Sequence, residues 1–515
     1  MRATYLYFLL LVLFATFKSY AQQYPLDAKR DNVWVFGYDD DYPWGLSVVD
    51  FSNGAPVSTY DTVPFWIWFT NAAVCDTSGQ LLFYTNGNQV ANREHEVTPN
   101  GAGLGCCYFW YSQDVTDGSS VPQGALILPH PGQPDIYAAI VSPLEYYPLP
   151  ITTALPVVQY NLFDATLDNG LGDITLKNQS ILTDTLSNNG HAACRHANGR
   201  DWWILEREWN KPNFYKILFD PAGFHIADTQ WVNVSMPDLF GQYFFTPDGN
   251  KFVATGLTSD NGTEAHVYVF DFDRCTGQLS NSEHVQFTSP AGASSMGGAP
   301  SPDSRFVYTS FYNRVYQFDL EAPDLAVSMV EVAVYDGFVD TLWSTTIPTT
   351  FIWMQPAPDN KIYITAGNTR YLHVIENPNG NEMLCNVSQH SFELSALNRY
   401  SIPYFPNFRL GPIDGSSCDT LGIDVIGSVF DSRINNELLR IYPNPGSDQF
   451  ACTYNPSSHK AVIEVFDAVG RLWLSVPAKE NSTRVSTKAL PAGFYTVKLV
   501  DGGKPLAVRR WVKTQ

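Results

Sequence analysis

One kind of segment recurs along this chain and limits what it can fold into: a turn of Asp, Gly, Asn or Pro, followed at once by a β-branched or aromatic run. It reads DTSGQLLFYTNG at 76–87, HPGQPDIYAAIVSP at 130–143, HANGRDWWILERE at 196–208, TPDGNKFVATG at 246–256, SPDSRFVYTSF at 301–311 and APDNKIYITAG at 357–367. In such turns Asp or Asn accepts from nearby backbone N–H groups, and Gly takes the positive-φ position a tight hairpin needs. Turn to turn, the copies lie about 50 to 66 residues apart, the period of a repeat of four short strands. Further strand-like runs at 214–219, 266–272 and 314–320 fill the intervals, and no amphipathic helical period breaks the series. The pattern predicts an all-β chain with a β-propeller over residues 22–412. At about 55 residues each this makes about seven blades, six being the alternative because the first is the least marked. A string of sandwich domains would group strands every 90–100 residues or so and does not explain the shorter period.

Composition agrees with this class. Aromatics are 14% and charged residues 16%, with 36 Gly and 34 Pro, a turn-rich make-up typical of extracellular β proteins. The formal net charge of -20 repels phosphate backbones and anionic head groups, which disfavours nucleic-acid and peripheral membrane partners. Arg2, the apolar run Tyr5–Phe17 and the small-x-small pattern Ser19-Tyr20-Ala21 read as a signal peptide over 1–21, with a mature start at Gln22. The run is too short for a comfortable span, and no other stretch approaches 18 apolar residues. No membrane span is therefore expected in the mature chain. Eight cysteines follow the signal without a C-x-x-C pair. That argues against a zinc ribbon and leaves any disulfide pairing open.

Three aromatic clusters are candidate binding elements: PFWIWF at 64–69 with Trp66 and Trp68, the insertion CCYFWYSQDVTDGSS at 106–120 with Tyr108, Phe109, Trp110 and Tyr111, and EYYPLP at 145–150. Exposed rings of this kind stack on sugars or peptides, the alternative being that they fold back as packing. Candidates for other chemistry are weaker. The acidic stretch YDDDYPWG at 38–45 offers oxygens to Ca²⁺ but matches no EF-hand spacing, so a solvated turn is the better reading and no cofactor is expected. His191, Cys194 and His196 lie within six residues, but on a strand His191 would face away from the other two. Glu206 and Glu208 share one strand face, whereas glycosidase chemistry needs carboxylates on two sides of a cleft. No nucleophile elbow, H-E-x-x-H or sialidase-type Asp-box is present.

The C-terminal part carries a more specific pattern. IYPNPGSDQF at 441–450 precedes AVIEVFDAVGRLW at 461–473, LPAGFYTVKLVDGG at 490–503 and the basic ending VRRWVK at 508–513. Alternating strands with turn glycines make these residues a small Ig-like β-sandwich. In ordered combination they resemble a type IX secretion C-terminal sorting domain of type A. The motif positions are Pro443, Asn444, Pro445, Gly470, Gly493 and Tyr495. The resemblance implies the type IX machinery as a partner and export across both membranes to the surface or medium. The charge shifts as well, with nine Lys or Arg from Arg471 onward against Glu480 and Asp501, which suits recognition by an export machine. The chain thus divides into 1–21, 22–412, a polar linker at 413–437 and a sorting domain at 438–515.

The longer part is similar to secreted bacterial WD40-like or YVTN-like propeller proteins. The shared phrases are NVWVFG (32–37), GQLLFYTNGNQVANREHEVTPNGAGL (79–104), NGLGDI (169–174), RHANGRDWWIL (195–205), PDNKIYITAGNTRYLHVIENPN (358–379) and IPYFPNFRL (402–410). Here the chain departs from that pattern at 106–120, which makes the aromatic insertion particular to this protein. A fold shared by many functions says little about chemistry. The expectation is an exported binding protein for a glycan, peptide or protein on a cell surface, more in keeping with a binder than an enzyme. The alternatives are a propeller-based polysaccharide hydrolase or lyase, and a structural adhesin.

Overall fold

A computed structural model describes residues 29–38, 45–62, 64–105, 118–147, 153–258, 264–288, 296–342, 345–421, 439–454, 461–467, 471–478, 482–501 and 504–514. The signal peptide, the insertion aromatics Tyr108–Tyr111 and the sorting-motif Gly470 lie outside these residues. Seven antiparallel sheets follow one another between Val33 and Asn398. The first runs Val33–Gly37, Leu46–Asp50 and Val57–Asp61, and the second spans Ala72–Cys75 to Val97–Ala102. The third opens at Ala125–Pro129 and ends with the long strands Thr153–Asp164 and Asp173–Leu186. The other four open at Ala192–Arg195, Leu239–Phe245, Met296–Pro300 and Met354–Pro356. Each is an antiparallel meander, the third with a short extra strand, Glu145–Tyr146, beside Thr153–Asp164, and from the second sheet on the opening strand lies innermost. This is the propeller arrangement, and no α-helix occurs among the described residues. A hairpin, Val339–Leu342 with Thr345–Pro348, is added between the sixth and seventh sheets.

The recurring turns join the innermost strand to the second, all on what we term the lower face. Their chemistry is that read from the sequence. Asp76, Asp248, Asp303 and Asp359 each accept, at Oδ1, from the backbone N–H two residues on (2.8, 3.1, 3.1 and 3.2 Å). The positive-φ position is Gly79 and Gly249 in two turns, but Ser304 (66°) and Asn360 (63°) in the others. These turns also tie sheets together: Asp248 N–H donates to Ser304 Oγ, and Asp303 N–H to Asn379 Oδ1.

The first sheet lacks an innermost strand of its own. Residues 401–409 supply it from the far end of the domain. The Asn71 amide donates to both Val35 O (2.7 Å) and Ser401 Oγ (3.2 Å), Tyr404 N–H donates to Asn71 O, and Phe405 stacks on Trp34. Arg409 grips Asp31, 378 positions earlier in the chain. Pro403 and Pro406 remove two N–H donors, so the segment lies along the axis without forming a ladder. The outer strand Val387–Asn398 closes the same seam, Ala396 N–H donating to Ser47 Oγ at 2.7 Å. Residues 413–421, expected as linker, continue along the lower face. Ile413 N–H donates to Ala197 O, and Cys418 forms a disulfide with Cys275 of the fifth sheet.

The C-terminal unit has two sheets, Leu439–Tyr442/Gln449–Tyr454/Ser482–Ser486 and Leu472–Pro477/Val462–Asp467/Gly493–Asp501/Lys504–Lys513. They enclose one core that includes Phe450, Ile463, Val465, Val497, Leu499 and Trp511. The PNPG turn follows the first strand and hooks onto the last. Trp511 Nε1–H donates to Pro443 O at 2.9 Å and Val512 N–H to Asn444 Oδ1 at 3.0 Å. Tyr495 lies in the core with its hydroxyl on Pro491 O, and Gly493 opens a strand rather than a turn.

Candidate functional site

Alternation of strand direction sends the other connections to the upper face, where the chain enters each innermost strand. The aromatic segment 64–69 is one of these; residues 106–117 and 148–150 of the other two clusters lie outside the described residues. Residues 64–69 join the first sheet to the second, 106–120 the second to the third, and 145–150 the second to the third strand of the third sheet.

The 64–69 segment shows how the rings are used. Phe65 is buried against Tyr84, whereas Trp66 and Trp68 are half-buried. Phe69 turns to the axis and stacks on Tyr400 (centroids 5.2 Å, planes 6° apart), with Phe240 and Trp353 edge-on to it. These four rings, three from connections and Phe240 from the start of the strand Leu239–Phe245, close the upper end of the axis. Beside them the Arg399 guanidinium lies 4.4 Å over Trp68 and 5.3 Å from the ring of Tyr38. Asn368 Nδ2–H donates to Tyr400 Oη at 2.8 Å, while Asn368 Oδ1 and Trp68 Nε1 have no protein partner.

Half-way down, carboxamides close the axis. An innermost strand turns one edge to the axis, and its backbone groups there need partners. A glutamine side chain carries one acceptor and two donors, so it can pair with a peptide edge. Gln123 takes Tyr243 N–H at Oε1 and gives Nε2–H to Tyr243 O. Gln242 does the same for Met354 and also accepts from Gly298 N–H.

Below these amides a cavity of about 310 Å³ faces the lower side, lined among others by Arg195, Phe245, Pro247, Pro302, Gln355 and Tyr404. Its one carboxylate among the described lining residues, Asp31, is held by Arg409 with Nη1 2.6 Å from Oδ2. Burial pushes the Cys194 thiol there up to about 12, the opposite of what a nucleophile needs. Two carboxylates facing each other across the cavity, the requirement for glycoside hydrolysis, are absent among these residues.

The remaining sequence candidates separate. His191 Nδ1 meets Glu206 Oε1 at 2.6 Å with both side chains buried, Cys194 packs on the other face with Trp203 and Leu205, and His196 reaches Cys275 O. Glu208 pairs with Lys211 and Asn213 at the surface. No group of three His, Cys, Asp or Glu that could hold a metal ion occurs among the described residues. Arg399 was not singled out in the sequence. A lone arginine after a strand has no spacing signal, and only the fold brings it to Trp68.

Comparison with known proteins places the two units differently. Residues 440–514 match the family described as a secretion system C-terminal sorting domain. No curated protein matches the chain. Among solved structures it is similar to PorZ, a surface component of the type IX secretion system of Porphyromonas gingivalis, at 14% identity and a TM-score of 0.32. That match covers 92% of this chain and 63% of PorZ. It is also similar to a quinoprotein alcohol dehydrogenase-like protein of Bacteroides thetaiotaomicron, at 11% identity, 73% and 78% coverage and a TM-score of 0.37. An exo-β-1,3-galactanase of Phanerochaete chrysosporium matches at 8% identity, 82% and 99% coverage and a TM-score of 0.30. The sorting tail marks the chain for export to the cell surface or release by the type IX machinery.

Proposed function

We propose that this exported protein is a non-catalytic binding platform that engages a glycan on the upper face of its propeller. The observation that supports this most is the aromatic connection 64–69 on that face, where Phe69 meets Tyr400, Phe240 and Trp353. There Trp66 and Trp68 keep part of their rings exposed. A sugar presents C–H faces that stack on such rings, and neutral amides beside them supply orientation. The lower cavity supports hydrolysis or lysis less, because its carboxylate is neutralised by Arg409. A structural adhesin would use the same face and differs only in what displays the ligand.

Screening the full-length exported protein on a glycan array tests this reading. Trp110→Ala with Tyr111→Ala, in the insertion outside the described residues, should weaken the glycan signal at least tenfold and leave thermal unfolding nearly unchanged. A large loss of stability with no selective loss of binding would assign those rings to packing instead.

A further inference from the structure

Arg399 is the cation on this protein whose surroundings are hardest to explain by folding alone. It follows the last strand of the seventh sheet and stands on the upper face just before the segment that closes the ring. Its guanidinium lies 4.4 Å over Trp68 and 5.3 Å from Tyr38, which holds the group in place between two rings. Most other arginines described here are spent on a carboxylate or on backbone carbonyls: Arg207 on Asp238, Met236 O and Pro237 O, Arg305 on Asp319, Arg409 on Asp31, Arg274 on Arg195 O. Among the described residues the Arg399 guanidinium has no acceptor at all, only the two rings. In a chain with a net charge of -20, a half-buried arginine held against two rings, with no acceptor among the described residues, is a receptor geometry. A planar fork matches a carboxylate through two parallel hydrogen bonds, and a cation held by ring faces loses little freedom on binding.

We propose that Arg399 receives the carboxylate of an acidic sugar, a uronic acid within a glycan. This inference rests on the glycan reading above and narrows it. The neighbours fit the rest of such a residue. Trp68 Nε1–H, a donor, and Asn368 Oδ1, an acceptor, are buried and have no partner among the described residues, so a small outward shift of the two side chains would offer a pyranose hydroxyl both polarities. The half-buried faces of Trp66 and Trp68 supply stacking area for the sugar ring. Asp39–Asp41 follow Tyr38 in the sequence and lie outside the described residues, so the test includes them.

The experiment titrates the full-length exported protein with trigalacturonic acid, with its fully methyl-esterified form, and with a neutral trisaccharide of similar size. Wild type should bind the acid at least tenfold more tightly than the ester, and the difference should shrink as salt is raised. Arg399→Gln should lose that difference while keeping its melting temperature and its affinity for the neutral sugar. Arg399→Lys, which keeps the charge without the fork, should recover it only in part. Replacing Asp39, Asp40 and Asp41 by Asn should leave acid binding equal or stronger. Loss of acid binding in that triple variant would point to a carboxylate-held cation and overturn the proposal. Equal binding of the acid by wild type and Arg399→Gln would overturn it too, as would a preference for a peptide C-terminus over every sugar. If neutral glycans bind and acidic ones do not, the platform reading stands and this one falls. If no glycan of either kind binds, both fall.

Discussion

His266 illustrates how one buried ring shapes the behaviour of the whole. It is 4% exposed, stacked with Tyr268 and 3.0 Å from the ring nitrogen of His284. Burial and the neighbouring imidazole push its pKa from 6.5 down to about 4. Burial, with His390 adding to it, pushes His373 from 6.5 to about 3. In the unfolded chain both rings take a proton near the ordinary value, about 6.5. As pH falls from there toward 4, the unfolded state therefore binds protons that the folded state refuses. Stability is full above pH ~6.5 and is lost going down through this window, at no more than about 1.4 kcal/mol per pH unit for each histidine. The melting temperature should fall from pH 7 to pH 5, and His266→Gln should flatten part of that fall. Identical pH slopes in the two proteins would contradict this assignment. At this scale the sequence was partly legible. The turn aspartates could be read because an Asx turn is local chemistry. His266 and Arg399 could not, because their properties come from residues such as His284 and Trp68 that only the fold brings near.

The closing segment is the element on which the propeller depends most. Residues 401–409 stand where a strand would be, held by Asn71, Trp34, Asp31 and their own buried rings rather than by a ladder. The Cys275–Cys418 disulfide then fastens the stretch after it to the fifth sheet, across a sequence separation of 143. A cross-link over a loop of that length stabilises mainly by restricting the unfolded chain, by up to about 4–5 kcal/mol on the chain-entropy account. Cys275→Ser with Cys418→Ser should lower the denaturant midpoint without changing the far-ultraviolet spectrum. An unchanged midpoint would show that docking of residues 401–412 suffices by itself. Repeating turns and strands announced the regular sheets in the sequence. The closing segment gave no such sign, since two prolines and no alternation conceal an innermost position, and residues 413–421 read as polar linker for the same reason.

At the scale of the molecule, two units divide the work. The sandwich carries the address, and its PNPG turn is structural in it, tying the first strand to the last through Pro443 O and Asn444 Oδ1. Removing residues from Ile441 onward should trap the protein within the cell envelope, which fractionation and surface labelling would reveal. Normal surface delivery of that truncation would sink the sorting assignment. The motif combination could be read from sequence because its steps are short and ordered. The aromatic segments could be read from the sequence only as three loose clusters, because the meeting of Phe69 with Tyr400, Phe240 and Trp353 exists only once the fold brings them near.

The place of the closing segment in the chain also orders biogenesis. Because a chain emerges from its N-terminus, the first sheet must wait, with its axial side uncovered, until residue 409 is available. The segment that completes the ring and the cysteine that fastens it both come before the sorting sandwich. A product cut short anywhere upstream of residue 400 is thus an open ring and also a parcel without a label. Completion and dispatch are coupled by nothing more than their order along the chain.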